Sequence, residues 1–211
     1  MRSEAPICYC LREQALIRPT YVANKNLKGA FVDQVTAPTP WRYSKLAIIL
    51  HWSLALMLAA MAGVGWYMMS IEDEPDSGWL FDLHKSFGLV VLGLVIFRLF
   101  WRLRHAPEKL PSQISPLQAK LSTGLHWALY LCMLLIPLAG LIGASYSKDG
   151  VAFFGLALPR WLVSDHDTAE QYFSVHSAVV WFLVFAVVLH AAAGLKHLLF
   201  DRDGVFQRMW P

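Results

Sequence analysis

Charged residues are scarce in this chain of 211 residues: they make up 16% of the sequence, whereas soluble domains carry about 25%. Apolar residues make up 56%, and nine residues are tryptophan. A composition this apolar excludes an ordinary soluble domain of this length and predicts a small integral membrane protein in contact with lipid. The formal net charge is only +3, so no nucleic-acid partner is expected.

Cysteine is scarce as well. Cys8 and Cys10 lie in a polar N-terminal region, and Cys132 lies in an apolar run. These positions provide no disulfide framework, no CxxC pair and no CxxCH motif for covalent attachment of a prosthetic group. Any cofactor would therefore be held by ligation and packing alone.

Residues 1–40 lack a continuous apolar segment. Charged residues are scattered through them and no apolar core follows Arg2, so we expect no secretory signal peptide. We interpret residues 1–40 as a disordered N-terminal extension and residues 41–211 as one membrane domain.

Four apolar stretches follow, each close to the roughly 20 residues that a helix needs to cross a bilayer. They are Leu46–Met69, Leu83–Leu103, Gly124–Tyr146 and Val175–Phe200. These stretches predict an all-α fold, an integral membrane four-helix bundle. The polar segments 72–82 and 105–123 are expected to be connectors, and the short apolar segment 153–163 is expected at the lipid–water boundary.

Basic residues are concentrated at one end of the predicted bundle, and most acidic residues lie at the other. The basic residues are Arg42, Lys45, Arg98, Arg102, Arg104, Lys109, Lys120, Lys196, Arg202 and Arg208. By the positive-inside rule, both termini are expected on the cytoplasmic side of a bacterial inner membrane.

Four histidines lie at matched depths in these spans. His51 lies near the cytoplasmic start of the first span, His84 and His176 lie near the opposite surface, and His190 lies deeper toward the cytoplasm. Fourteen residues separate His176 from His190, which advances a helix by about 21 Å and returns to within about 40° of the same face. The antiparallel threading therefore predicts two pairs, His84 with His176 and His51 with His190.

Facing pairs at two depths favour haem over zinc as the group that they bind. Structural zinc takes four ligands at one point, whereas a haem iron has two axial positions. If the histidines were ordinary packed polar residues, both pairings would have to arise by coincidence. In addition, ionisable groups inside a membrane are usually functional. We therefore predict two haem groups in stacked positions.

Arg98 lies fourteen residues after His84, on the same helix face and within the apolar run. Its guanidinium is expected to reach the level of the inner haem, where it would pair with a propionate. The alternative is that its side chain extends to the cytoplasmic surface.

Residues 41–211 resemble the bacterial di-haem cytochrome b561 family. The resemblance rests on Tyr43–Leu46 with His51, Leu83–His84 with Phe97–Leu99, Leu125–His126 with Pro137–Leu141, and Val175–His176 with Leu189–Ala193. It implies a four-helix bundle with two b-type haems ligated by the same four histidines. It also implies relatives that are membrane subunits of formate dehydrogenases and nickel–iron hydrogenases, and a stand-alone member that oxidises superoxide and reduces ubiquinone.

Two functions stay open. Two ligands per iron would fill both axial positions, and this favours electron transfer over oxygen chemistry at the metal. The same paired ligands argue against a haem carrier, which would need a labile or open axial position. The first function is a self-contained superoxide:ubiquinone oxidoreductase, as a monomer or a homodimer. The second is a membrane anchor subunit for a partner dehydrogenase or hydrogenase. Short periplasmic connectors favour the first.

Candidate substrate residues lie at both ends of the predicted bundle. His126 and His197 lie near the cytoplasmic ends of their spans and are candidates for a quinone site, although His197 is also an alternative to His190 as ligand. At the periplasmic end, Lys85, Arg160 and His166 are the cations available to attract superoxide, among acidic neighbours that weaken this interpretation.

Overall fold

The computed structural model describes residues 41–105 and 114–211. Four long helices dominate it, and all four are long and apolar enough to cross a membrane. They are α1 Lys45–Ser70, α2 Gly78–Arg104, α3 Pro116–Tyr146 and α4 His166–Lys196. The all-α membrane bundle is confirmed. The interpretation of residues 1–40 as a disordered extension lies outside the described residues and stays a prediction.

All four helices begin earlier than their apolar stretches, α1 by one residue and the other three by five to nine residues. For α3, a capping box marks the start of the helix ahead of the apolar stretch. At α3, the Ser115 hydroxyl accepts the N–H of Gln118 (3.2 Å) and the Gln118 side chain accepts the N–H of Ser115 (3.1 Å).

The bundle packs around its sides and leaves its interior open. Consecutive helices contact each other, most extensively α3 and α4, whereas α4 makes little close backbone contact with α1 or α2. Two small clusters of buried residues stabilise the α1–α2 and α3–α4 sides. They are Leu54, Val91 and Val95, and Leu129, Cys132, Leu183 and Ala186. A cavity of about 2460 Å³, lined by residues of all four helices, takes the place of a central core.

A small hairpin follows α3. Strands β1 (Ala152–Phe153) and β2 (Leu156–Ala157) pair antiparallel through a turn at Phe154 and Gly155, both with positive φ. The hydroxyl of Ser86 on α2, only 1% exposed, donates to the Asp82 carbonyl (2.6 Å) and accepts the N–H of Phe154 (2.8 Å). The hairpin is thereby fixed over the start of α2, where His84 lies.

The C-terminal segment folds back onto α1. The N–H of Tyr43 donates to the Arg208 carbonyl (3.1 Å), and the indole N–H of Trp52 donates to the Met209 carbonyl (2.9 Å). This clamp connects the start of α1 to the chain beyond α4. We call this end of the bundle, where α1 starts and α4 finishes, the inner end, and the opposite one the outer end.

Candidate functional site

Four of the predicted histidines face each other across the cavity. His51 on α1 faces His190 on α4 at the inner end, with ring centres 6.0 Å apart and ring planes at 69°. At the outer end, His84 on α2 faces His176 on α4, with ring centres 6.2 Å apart and the planes again at 69°. All four line the cavity, so the structure brings together the two pairs that the spacing predicts.

The separation within each pair is what two ligands of one metal require. A metal–imidazole bond is about 2 Å long and the ring centre lies about 1 Å beyond the nitrogen, so two imidazoles on opposite faces of one iron have centres about 6 Å apart. The 6.0 and 6.2 Å separations match this value. His126 also approaches His190, but its ring centre is only 5.2 Å away, which is too close for an iron between them.

His176 is held in the orientation that a metal ligand needs. Its Nδ1 donates to the Ile136 carbonyl of α3 (2.8 Å), so the lone pair of a neutral ring is on Nε2. Gly140 makes this approach possible, because a Cβ there would lie 3.0 Å from His176 Nδ1. Gly140 lies in the Pro137–Leu141 segment on which the family resemblance rests, but sequence reasoning assigned it no contact with a histidine.

Substitution Gly140→Ala is expected to weaken the outer site without loosening the bundle. The added methyl group displaces the His176 ring from the Ile136 carbonyl, and loss of such a supporting hydrogen bond typically weakens metal affinity about 10- to 100-fold. Alanine is also the better helix former, so thermal stability of the haem-free chain should not fall. Haem content after gel filtration measures the effect.

Gly124→Ala is the matched control, since it lies on the same helix with nothing within 4 Å of its Cβ position. Equal haem content in the two variants would contradict the role assigned to Gly140.

Unpaired polar atoms also face the cavity. His84 Nδ1 and Arg98 Nη1 are buried and have no hydrogen-bond partner within residues 41–105 and 114–211. Leaving a buried polar group unpaired costs about 1–3 kcal/mol, more if it is charged. A Cβ at Gly65 would lie 3.3 Å from the His84 ring, so this glycine leaves room for that imidazole. Both atoms therefore fit a polar group bound in the cavity.

Arg98 points into the inner end of the bundle. Its Nη2 lies 2.9 Å from His51 Nδ1, and its Nε donates to the hydroxyl of Tyr130 (3.2 Å), which is 5% exposed. This placement favours the propionate role over surface extension of the side chain, because the cation is fixed beside a predicted ligand. When the neutral His51 ring accepts a hydrogen bond from Arg98 at Nδ1, its proton is on Nε2. Binding a metal through Nε2 requires the proton on Nδ1 instead, and Arg98 must then move away from His51.

His126 adds a third imidazole at the inner end. Its Nδ1 donates to the Ser122 carbonyl (2.6 Å), which leaves Nε2 for a ligand, and its ring lines the cavity next to His190. This arrangement suits a hydrogen bond to a small molecule in the cavity.

His197 also lines the inner end of the cavity but is not part of either facing pair. Its Nδ1 lies 2.7 Å from Asp203 Oδ2. His190, rather than His197, faces His51, so the geometry favours His190 as the inner ligand.

The outer mouth of the cavity is acidic. Of the three cations proposed there, Lys85 lines the cavity and forms a salt bridge with Asp82 (2.8 Å). Arg160 and His166 are exposed and do not line it. The carboxylates that do are Glu72, Asp82, Asp149 and Glu170. Of these three cations, Lys85 is therefore the one that the structure places on the cavity wall.

The chain has four helices of membrane-spanning length around a cavity, and histidines from different helices face each other inside it. These features define a multi-pass membrane protein with a buried cofactor site. The sequence matches the prokaryotic cytochrome b561 family over residues 42–211, and the chain belongs to that family. It is accordingly a bacterial membrane b-type cytochrome that binds haem b and transfers electrons.

Curated relatives carry related names. The chain is 28% identical over 176 residues to "Cytochrome b561 homolog 2" of Escherichia coli (strain K12), which covers 81% of this chain and 92% of that protein. It is 27% identical over 170 residues to "Probable superoxide oxidase CybB" of Yersinia pestis, covering 81% and 96%. It is 26% identical over 176 residues to "Cytochrome b561 homolog 1" of Escherichia coli (strain K12), covering 81% and 97%.

Proposed function

We propose that the chain holds two haem b groups, one ligated by His84 and His176 at the outer end and one by His51 and His190 at the inner end. The observation that carries this proposal is the separation of 6.0 and 6.2 Å between facing rings. The buried unpaired atoms of His84 and Arg98 support it. Haem b held by these histidines would supply a reversible one-electron change at iron.

Two groups are needed because one cannot serve both surfaces of a bilayer about 30 Å thick. His176 and His190 are fourteen residues apart on α4, about 21 Å along its axis. The protein orients the His176 ring through the Ile136 carbonyl, and Arg98 lies against the His51 ring. Following the positive-inside rule, we place the inner end at the cytoplasmic side of the bacterial inner membrane.

A quinone, with ubiquinone as our choice, is the proposed acceptor at the inner end. His126 and His197 support this choice, because each has Nδ1 engaged by a protein oxygen and lines the same cavity. Neutral His126 can accept the hydroxyl of a quinol at Nε2. His197, when protonated, can donate its Nε2–H to a quinone carbonyl oxygen. The surrounding cavity wall is mostly apolar, as a lipid-soluble molecule requires.

Superoxide is the proposed donor at the outer end. The name of the Yersinia pestis relative supports it, and Lys85 provides a cation on the cavity wall. The acidic mouth opposes an anionic substrate, so Lys85 must carry the attraction. The same acidity favours a second function, an anchor subunit that receives electrons from a partner protein with a basic surface.

Substitution Lys85→Gln is expected to slow haem reduction by superoxide about 3- to 10-fold at low ionic strength, because it removes the cation that offsets the carboxylates at the mouth. Rapid-mixing absorbance at the haem bands measures the rate. Arg160→Gln serves as the control, since this cation at the same end does not line the cavity. Equal rates in the two variants would remove Lys85 from the entry path.

The experiment that tests the function uses the purified chain in lipid nanodiscs with ubiquinone and an enzymatic superoxide source. We expect quinol formation that depends on superoxide and requires no other protein. A chain that binds haem but forms no quinol from superoxide would reject this donor. Quinol formation only after addition of a reduced partner protein would establish the anchor function instead.

A further inference from the structure

The chain departs from α-helical geometry just beyond α4. It continues as a π-helix over His197–Asp201, after which Arg202 has a left-handed backbone (φ 48°) and donates its N–H to the His197 carbonyl (2.9 Å). π-Helical turns are rare and occur frequently at functional sites. This turn reverses the chain so that Asp203 lies beside His197.

Asp203 is the carboxylate that orients His197. Its Oδ2 lies 2.7 Å from His197 Nδ1, its Oδ1 accepts the N–H of Val205 (3.1 Å), and its side chain is 11% exposed. Asp201 is farther from the same nitrogen, at 3.3 Å, and is 30% exposed. The ammonium of Lys196 binds Asp201 and offsets its charge. Nδ1 of His197 therefore donates to Asp203.

Nε2 of His197 is left for a ligand. Within the described part of the chain no hydrogen bond reaches this atom, and the residue lines the inner end of the cavity. A carboxylate on Nδ1 fixes the tautomer of a histidine and stabilises the imidazolium that forms when Nε2 takes up a proton. The pair can therefore give a proton from Nε2 and regain it.

We propose that Asp203, acting through His197, is a positioning residue for proton transfer to a quinone, an inference that rests on the proposed quinone function. Conversion of a quinone to a quinol adds two electrons and two protons. The electrons are those that the proposed electron transfer delivers, one at a time. The His197 imidazolium gives its Nε2 proton to the nearer carbonyl oxygen. Water at the inner end then protonates His197 again and supplies the second proton that the quinol requires. Asp203 accepts the Nδ1 hydrogen bond of His197 throughout.

The test compares wild type, Asp203→Asn, Asp203→Glu and Asp201→Asn as full-length, haem-loaded chains in nanodiscs. Ubiquinone-1 reoxidises the pre-reduced protein, and haem absorbance gives the rate in H₂O and in D₂O. For Asp203→Asn we expect the saturated rate to fall about 10- to 100-fold, with little change in the half-saturating quinone concentration and a larger solvent isotope effect. Asp203→Glu should recover part of the rate, and Asp201→Asn should stay within about twofold of wild type, because Asp201 pairs with Lys196.

Three outcomes would overturn the inference. A wild-type rate and isotope effect in Asp203→Asn would remove the carboxylate from proton transfer and leave the quinone function intact. Loss of haem from that variant would show a structural role, and an equal loss of rate in Asp201→Asn would show a general charge effect. If the reduced wild-type chain itself fails to reduce ubiquinone-1, the proposed quinone function fails and the inference fails with it.

Discussion

Substitution His84→Ala or His176→Ala is expected to leave one haem per chain instead of two. Each variant removes one of two imidazoles whose ring centres are 6.2 Å apart, and the remaining ring cannot fill both axial positions. The inner pair lies about 21 Å farther along α4 and makes no contact with this one, so it should keep its haem. The haem-to-protein ratio and the height of the α-band in a reduced-minus-oxidised spectrum measure the loss.

The two outer variants should behave alike, because they remove opposite ligands of the same site. A full complement of two haems in either variant would contradict the outer assignment. Loss of both haems together with a misfolded chain would be recognised by gel filtration, and Gly140→Ala then tests the same site with all four histidines present.

Substitution His51→Ala is expected to remove the inner haem, whereas His126→Ala should retain both. His51 and His126 both approach His190, with ring centres 6.0 and 5.2 Å away, and only the larger separation accommodates an iron between two imidazoles. Haem content again measures the outcome. His126→Ala should instead weaken quinol binding, because its Nε2 faces the cavity and can accept the hydroxyl of a quinol.

The comparison of these two variants distinguishes the inner ligand from its neighbour. Haem loss from His126→Ala with retention in His51→Ala would exchange the two assignments. Such a result would also place Arg98 beside a substrate-binding histidine instead of a ligand, since Arg98 lies 2.9 Å from His51.

The architecture and the pairing of the four histidines could be predicted from the sequence because both follow from regular geometry. Four apolar stretches of bilayer length give four antiparallel helices, and a fourteen-residue interval on one helix gives two levels on one face. The pairs His84–His176 and His51–His190 then follow from depth alone. Their role as ligands remains a proposal.

The residues that support those histidines could not be predicted, because their importance arises only from tertiary contacts. Gly140 matters through its distance to His176, and Tyr130 through its hydrogen bond to Arg98. Asp203 lies in a polar segment after the last span, and a π-helical turn that no pattern indicates brings it to His197. The start of α3 lies outside its apolar stretch, because the Ser115 cap lies in the polar segment 105–123.

An open interior is the structural feature on which the function depends. Buried side chains form two lateral clusters, and the space between them is a cavity of about 2460 Å³. Ordinary ligand pockets measure about 300–1,000 Å³, so this one has room for more than one group. Because a bound group stabilises the state that binds it, haem-depleted protein should be less stable than the loaded form.

Haem quantitation on the purified wild-type chain, by the pyridine haemochrome spectrum against amino-acid analysis, tests the central claim most directly. From the two facing histidine pairs we predict two haem b groups per chain when haem is in excess during expression. A ratio of one, or a colourless protein that is folded, would contradict this arrangement.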